Sequence, residues 1–194
     1  MEKIVVCGVG AIGSHLLFLM RNDPNEIDVI DFDKVESKNL NSQFYTKQVV
    51  GKNKAEAITL LMLNFFNKKL GLYRFKLVRE NIETVLKNKT LVIDCFDNQE
   101  SRLLVRDYCK SNSIPSLHAG ISDDGEYGQV NWGEFFTPDK EEAGVATCEE
   151  GVDLLPMFTK IASCIAQEAK NYFETKEKRM YMISKFNVTA RKVN

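Results

Sequence analysis

Three glycines and one carboxylate near the start of the chain carry legible chemistry. The segment GVGAIG, Gly8 to Gly13, follows the apolar run Ile4, Val5, Val6 and precedes Leu16, Leu17 and Met20 at helical spacing. Gly8 permits a tight turn. Gly10, lacking a Cβ, lets the backbone approach a phosphate, and Gly13 lets the helix pack closely on the sheet. A phosphate would rest on free backbone N–H groups at the positive end of that helix. Asp31 lies at about the twenty-residue offset where a carboxylate accepts hydrogen bonds from ribose hydroxyls. Strand, glycine turn, helix, strand and acid in this order specify a nucleotide fold without naming the nucleotide.

The elements that must hold these residues alternate. A second helix is predicted from about Lys52 to Asn67, with Ala55, Ile58, Leu61, Met62 and Phe65 on one face. Strands are expected at Tyr73 to Val78 and Leu91 to Phe96, with a short helix around Ile82, Val85 and Leu86 between them. Gln99 to Ser111 reads as a helix with Leu103, Leu104, Val105 and Tyr108 on its apolar side, and a strand at Leu117 to Ala119 follows Pro115. This is the pattern of an α/β, Rossmann-like, mainly parallel sheet flanked by helices. After Gly120 the pattern changes. A turn at Asp123 to Gly125, a strand from Gly128 to Phe136, a helix from Pro156 to about Phe173 and a last strand from Arg179 to Val188 add antiparallel strands in the C-terminal half. Residues 137–155 form an acidic crossover loop, and no linker divides the chain, so residues 1–194 read as one nucleotide-binding domain.

Composition narrows the classes. A net charge of −1 gives no basic field for nucleic acid. No apolar run approaches the roughly 20 residues of a membrane span, and the first strand begins almost at Met1, leaving no room for a signal peptide. The five cysteines are an odd number without a CxxC pair, so reduced thiols in the cytoplasm are expected, and no zinc.

Three further clusters stand in order: DFDKVESKNLNSQF (Asp31 to Phe44), GKNKAEA (Gly51 to Ala57) and VIDCFDNQESR (Val92 to Arg102). With GEYGQV (Gly125 to Val130) and the segment Thr147 to Val152, they resemble the ThiF/MoeB family, bacterial relatives of the ubiquitin-activating enzymes, over nearly the whole chain. The resemblance implies ATP- and Mg²⁺-dependent adenylation of the C-terminal carboxylate of a small ubiquitin-like or sulfur-carrier protein, by a homodimer. It implies that Gly8, Gly10 and Gly13 cradle the phosphates, that Asp31 holds the ribose and that Asp33 lines the same pocket. Asn39 and Gln43 match polar positions near the phosphates, Lys54 matches a lysine that neutralises phosphate charge, and Asp97 matches the aspartate that holds Mg²⁺. Asn98 and Arg102 complete that last motif, and the sheet surface beyond the nucleotide is implied to receive the carrier.

The sequence departs from the family in places. NLNSQ puts Ser42 where the family motif NLxRQ has an arginine on the triphosphate, and serine cannot supply a charged fork. A leading helix bearing an arginine for the partner's site, and two zinc-binding CxxC pairs, are missing from the sequence. Arg21, Lys38, Lys47 or another protein could compensate. Two further readings therefore stay open: a catalytically degenerate ATP-binding scaffold subunit, and a nicotinamide-dependent oxidoreductase sharing the glycine turn.

Plainer roles compete with the sharper ones. Asp94 reads as a cap at a strand end, and Asp97 as metal ligand or helix N-cap. Lys54, by pattern alone, lies on a solvated helix face. Cys148 reads equally as a nucleophile and as an ordinary loop cysteine, its neighbours Glu149 and Glu150 raising a thiol pKa. Cys7, Cys95 and Cys164 read as small buried hydrophobes. His15 follows the glycine turn closely enough to approach a phosphate, and His118 lies on a buried strand. No acid is spaced from either for a triad. Trp132 to Phe136 is read as a strand partly exposed for a partner.

Overall fold

The computed structural model describes residues 1–137 and 153–193. Eight strands form one sheet in the order β3-β2-β1-β4-β5-β6-β7-β8. They are β1 (Lys3–Cys7), β2 (Glu26–Ile30), β3 (Gly71–Tyr73), β4 (Leu91–Asp94), β5 (Ser116–Ile121), β6 (Tyr127–Trp132), β7 (Lys178–Ser184) and β8 (Val188–Val193). The first five run parallel, and β6, β7 and β8 join antiparallel. The α/β reading, with antiparallel strands added in the second half, therefore holds.

Burial explains the layering. Alternate residues of β1 enter opposite cores, as the period of two demands. Ile4 and Val6 pack with Leu16, Leu17, Ile58, Met62 and Ile161, under α1 (Ala11–Leu19), α2 (Lys54–Phe66) and α5 (Leu155–Thr175). Val5 and Cys7 pack with Val85, Leu86, Val105 and Cys109, under α3 (Ile82–Leu86) and α4 (Gln99–Ser111). A central parallel strand buried on both faces is apolar throughout, which is why β1 reads as a continuous run.

Several boundaries differ from expectation for local reasons. Phe65 was placed on the buried face of α2 but is 68% exposed. The strand expected over Tyr73 to Val78 is the short edge strand Gly71–Tyr73, paired with Asp28 to Ile30. β4 stops at Asp94 because its carboxylate turns to accept the Phe96 N–H. α4 lies on the sheet through Ser101, Val105 and Cys109, leaving Leu103, Leu104 and Tyr108 half-buried. β6 ends at Trp132 and a 3-10 turn covers Gly133–Phe135. The single last strand is a hairpin, β7 and β8, closed by Ser184 N–H on the Asn187 carbonyl. Most of the crossover loop, and Cys148 with it, lies outside the described residues. Among the described residues no helix is long and apolar enough to cross a membrane.

Candidate nucleotide site

The glycine turn fits only glycine at two of its three positions. Gly8 has φ +84°, and a Cβ there would lie 2.9 Å from the Cys95 carbonyl oxygen. A Cβ on Gly13 would lie 2.0 Å from the Gly8 oxygen, so this residue sets the helix against the turn. Gly10 differs. The nearest atom to its Cβ position is Nε2 of Gln43, at 4.0 Å, so its open side is a cradle that a side chain would fill. Gly10 is the N-cap of α1 and supplies no side chain to cap it, leaving first-turn N–H groups for an anion.

Asp31, just past β2, is buried and braces this turn. Its Oδ2 accepts the Val9 N–H and its Oδ1 the Asp33 N–H, each at 2.9 Å. Burial pushes its pKa up, against the opposing pull of Lys54 and those two N–H groups. Each oxygen keeps a second lone pair for a hydroxyl. Asp33 is half exposed and takes the Lys54 ammonium at 3.2 Å, so Lys54 is folded onto the site edge rather than solvated along a helix face. Two residues that the sequence did not single out hold this arrangement. Asn53 donates Nδ2–H to the Asp31 and Asp33 carbonyls while its Oδ1 caps α2, and the Tyr45 hydroxyl donates to the Val9 carbonyl. The Asn53 role is visible in hindsight as an N-cap signal ahead of α2.

The loop between β2 and α2 brings Asn39, Ser42 and Gln43 inward, all buried. Asn39 Oδ1 accepts the Glu36 N–H at 2.8 Å and so shapes the loop. Gln43 turns Nε2 toward the Gly10 cradle, and its Oε1 is buried with no hydrogen-bond partner among the described residues. His15 does not offer a cation to phosphate. Its Nε2–H donates to the Ser42 carbonyl at 3.1 Å, and burial pulls its pKa down. Arg21 is also turned away: its Nη1 donates to the Phe18 carbonyl and its guanidinium lies 4.5 Å over the Phe18 ring. That is the far end of α1, on the order of 15 Å from Gly10 at 1.5 Å per residue. Lys38 pairs with Glu36 on the surface.

The end of β4 supplies the acidic corner. Asn98 Oδ1 accepts the Ser101 N–H at 2.9 Å, so the N-cap of α4 is Asn98 and not Asp97. The N-cap alternative for Asp97 is thereby removed. Asp97 stands exposed at the carboxyl edge of the sheet, where open α/β folds bind ligands. Among the described residues no group of three or more His, Cys, Asp or Glu side chains could hold a metal ion. A lone carboxylate suits Mg²⁺, which takes one or two protein oxygens and fills its shell with phosphates and water.

Asp94 is more than a strand cap. It is fully buried and joins three elements: Oδ1 accepts the Phe96 N–H, and Oδ2 accepts His118 Nδ1–H at 2.8 Å and Arg102 Nε–H at 3.4 Å. The acid absent from the sequence neighbourhood of His118 is supplied by the adjacent strand, since Asp94 and His118 are partners in the β4–β5 register.

On the α4 side of the antiparallel half, no helix among the described residues covers β6 to β8, and a groove of about 680 Å³ remains. Arg102 stands at one end, with Gln129, Met180 and Met182 along it. Trp132 was read as part of this surface but is buried, donating to Glu168, and Phe136 is buried against His118, leaving Phe135 exposed. The thiols of Cys7 and Cys109 are buried and raised by desolvation, that of Cys109 to about 12, so neither is a ready nucleophile.

Residues 1–190 match the model of the ThiF family. The chain is 27% identical over 185 residues to "Adenylyltransferase and sulfurtransferase UBA4" of Debaryomyces hansenii, covering 87% of this chain and 40% of that protein. It is 28% identical over 147 residues to "Ubiquitin-like modifier-activating enzyme 5" of Drosophila ananassae, covering 68% of this chain and 36% of that one. It thus spans about two fifths of the length of these curated relatives. The crystal structure of E. coli MccB with ATP shares its fold, with a TM-score of 0.76 at 18% identity over 100% of this chain and 63% of that one. The family match runs through the glycine turn, the Lys54–Asp33 pair and the turn that carries Asp97, and the chain belongs to the ThiF family.

Proposed function

We propose that this chain is an ATP-dependent adenylyltransferase that activates the C-terminal carboxylate of a small ubiquitin-like or sulfur-carrier protein. The observation that carries the reading is the open side of Gly10 at the uncapped N-terminus of α1, flanked by the Gln43 side-chain amide nitrogen at 4.0 Å. Lys54 and Asp97 belong to the same carboxyl edge of the sheet. First-turn N–H groups of α1 hold phosphate oxygens, and Asp31 takes the ribose. Lys54 leaves Asp33 to offset charge as the carrier carboxylate attacks the α-phosphorus and pyrophosphate departs. Asp97 is the ligand for Mg²⁺, which screens phosphate charge when bound. Such chemistry needs positioning and charge neutralisation more than covalent participation by the protein.

The groove beyond Arg102 suits an extended C-terminal tail. The same reading includes a homodimer in the cytoplasm and leaves Cys148 as a candidate acceptor of the activated acyl group. A second reading, an ATP-binding scaffold for an active partner, is favoured by Ser42 and by Arg21 facing away from the turn.

ATP–pyrophosphate exchange with candidate carriers tests the first reading. Exchange with a cognate carrier supports it. ATP–Mg²⁺ binding by calorimetry without exchange for any carrier leaves the scaffold. Binding of NAD in preference to ATP overturns both.

A further inference from the structure

Asp94, His118 and Ser116 form a chain in the order of a hydrolytic triad. His118 Nδ1–H donates to Asp94 at 2.8 Å, and Nε2 lies 3.0 Å from Ser116 Oγ. A substrate has no approach to it. The imidazole is fully buried and stacked under Phe136 with ring centroids 4.3 Å apart. Gly133 sits so close over Ser116 that a Cβ there would lie 2.3 Å from Oγ. The chain does something other than hydrolysis.

Its far end leads to the nucleotide site. Asp94 Oδ1 holds the Phe96 N–H at 3.1 Å. Residues 95 and 96 form the wall behind Gly8, whose Cβ position lies 2.9 Å from the Cys95 oxygen and 3.0 Å from the Phe96 ring. The next residue is Asp97. One buried carboxylate therefore fixes both the back of the phosphate turn and the carriage of the exposed acid. Of the two groups holding its other oxygen, Arg102 Nε is distant, at 3.4 Å, and His118 is close. A carboxylate accepts only, so Nδ1 carries the hydrogen. In the neutral ring Nε2 then takes the Ser116 hydroxyl hydrogen, which fixes the tautomer.

We infer that His118 is a positioning residue: by locking the Asp94 carboxylate through Nδ1–H, it sets the 95–97 turn so that Asp97 meets a metal-bound nucleotide. This deepens the adenylation reading and rests on it for the identity of the nucleotide. Asparagine places Nδ2 where histidine has Nδ1, whereas leucine fills volume without a donor.

The test is calorimetric titration of ATP in EDTA and of ATP with Mg²⁺, for wild type, His118→Asn and His118→Leu. His118→Asn is expected to stay within about twofold of wild type in both. His118→Leu is expected to lose about tenfold of the Mg²⁺-dependent gain, the low end for outer-shell partners of a metal ligand, beyond the smaller loss it shows for ATP in EDTA through the back of the turn. A leucine variant that retains the Mg²⁺ gain, or an asparagine variant that loses it equally, overturns the inference. If the leucine variant does not fold, Ser116→Ala is expected to give a smaller loss of the same Mg²⁺-dependent kind, and an unchanged gain there overturns it. Pyrophosphate exchange run in parallel separates the two readings. No exchange with any carrier, while the Mg²⁺ gain still follows position 118, removes adenylation and leaves the positioning role.

Discussion

The Lys54 ammonium rests 3.2 Å from the Asp33 carboxylate, and the lysine side chain is 11% exposed where the aspartate is 50% exposed. The cation is thus held at the edge of the site by an anion that water already solvates well. Such a pair is weak, since exposed carboxylates gain little from pairing, so phosphate charge can draw the lysine away. Lys54→Ala is expected to lower pyrophosphate exchange by about 10²–10³-fold, the range for removing one preorganised donor from developing charge. Asp33→Asn, which frees the lysine, is expected to leave most of the rate. Equal losses in both variants would show that the pair itself, rather than the freed lysine, is what the reaction uses.

Two glycines three residues apart should respond in opposite ways. At Gly13 a methyl group would stand 2.0 Å from backbone oxygen, which cannot yield as a flexible side chain would. Gly13→Ala is expected to cost about 3 kcal/mol in urea unfolding, at the upper end for overpacking. At Gly10, with φ −74° and open space around it, Gly10→Ala is expected to stay within about 1 kcal/mol of wild type. It should nevertheless bind ATP about tenfold more weakly or worse, because the methyl group occupies the phosphate's approach and removes charge-assisted hydrogen bonds. ATP binding unimpaired by Gly10→Ala places the phosphates elsewhere.

What the sequence made legible follows from where the information lies. The glycine turn, β1, and the α2 and α4 helices are local patterns, and they appear where spacing puts them. The β7–β8 hairpin was read as one strand because its connection, Lys185, Phe186 and Asn187, has no glycine and no Asn-Gly or Asp-Gly pair to mark a tight turn. Asp94 was read as a cap because its partner, His118, is 24 residues away and meets it only through parallel pairing of β4 and β5. Asp97 lost its rival role to a neighbour: Asn98 is the better-placed N-cap. Lys54 looked solvated by helix pattern because the acid that folds it inward belongs to the β2 end, not to α2.

His15 gives the loop behind the site a pH dependence. Its folded pKa is depressed by burial below the usual 6.5, while the unfolded chain takes up the proton near that value. In the window below pH 6.5 the unfolded state therefore binds more protons. Stability that is fully present above pH 6.5 is lost as pH falls through that window to the folded pKa. His15→Gln keeps a donor near the Ser42 carbonyl but does not titrate. Between pH 7.5 and 5.5, wild type is expected to lose more stability in urea unfolding than this variant, by at most about 1.4 kcal/mol per pH unit. Identical pH slopes would mean that His15 takes up its proton as easily folded as unfolded.

Met182 tests the groove without touching the nucleotide. It pairs with Gln129 across β6 and β7, on the sheet face that no helix among the described residues covers, and it is 73% exposed. An exposed thioether adds little to folding, so Met182→Glu should unfold within about 0.5 kcal/mol of wild type. If an apolar carrier tail lies along this face, the new carboxylate must be desolvated against it. The KM for the carrier should then rise about tenfold, a typical loss at an interface anchor, while the KM for ATP stays unchanged because the turn at Gly10 belongs to the other half of the sheet. A rise in both constants would instead mean that the substitution disturbs the sheet itself. No change in either would move the carrier to another surface of the protein.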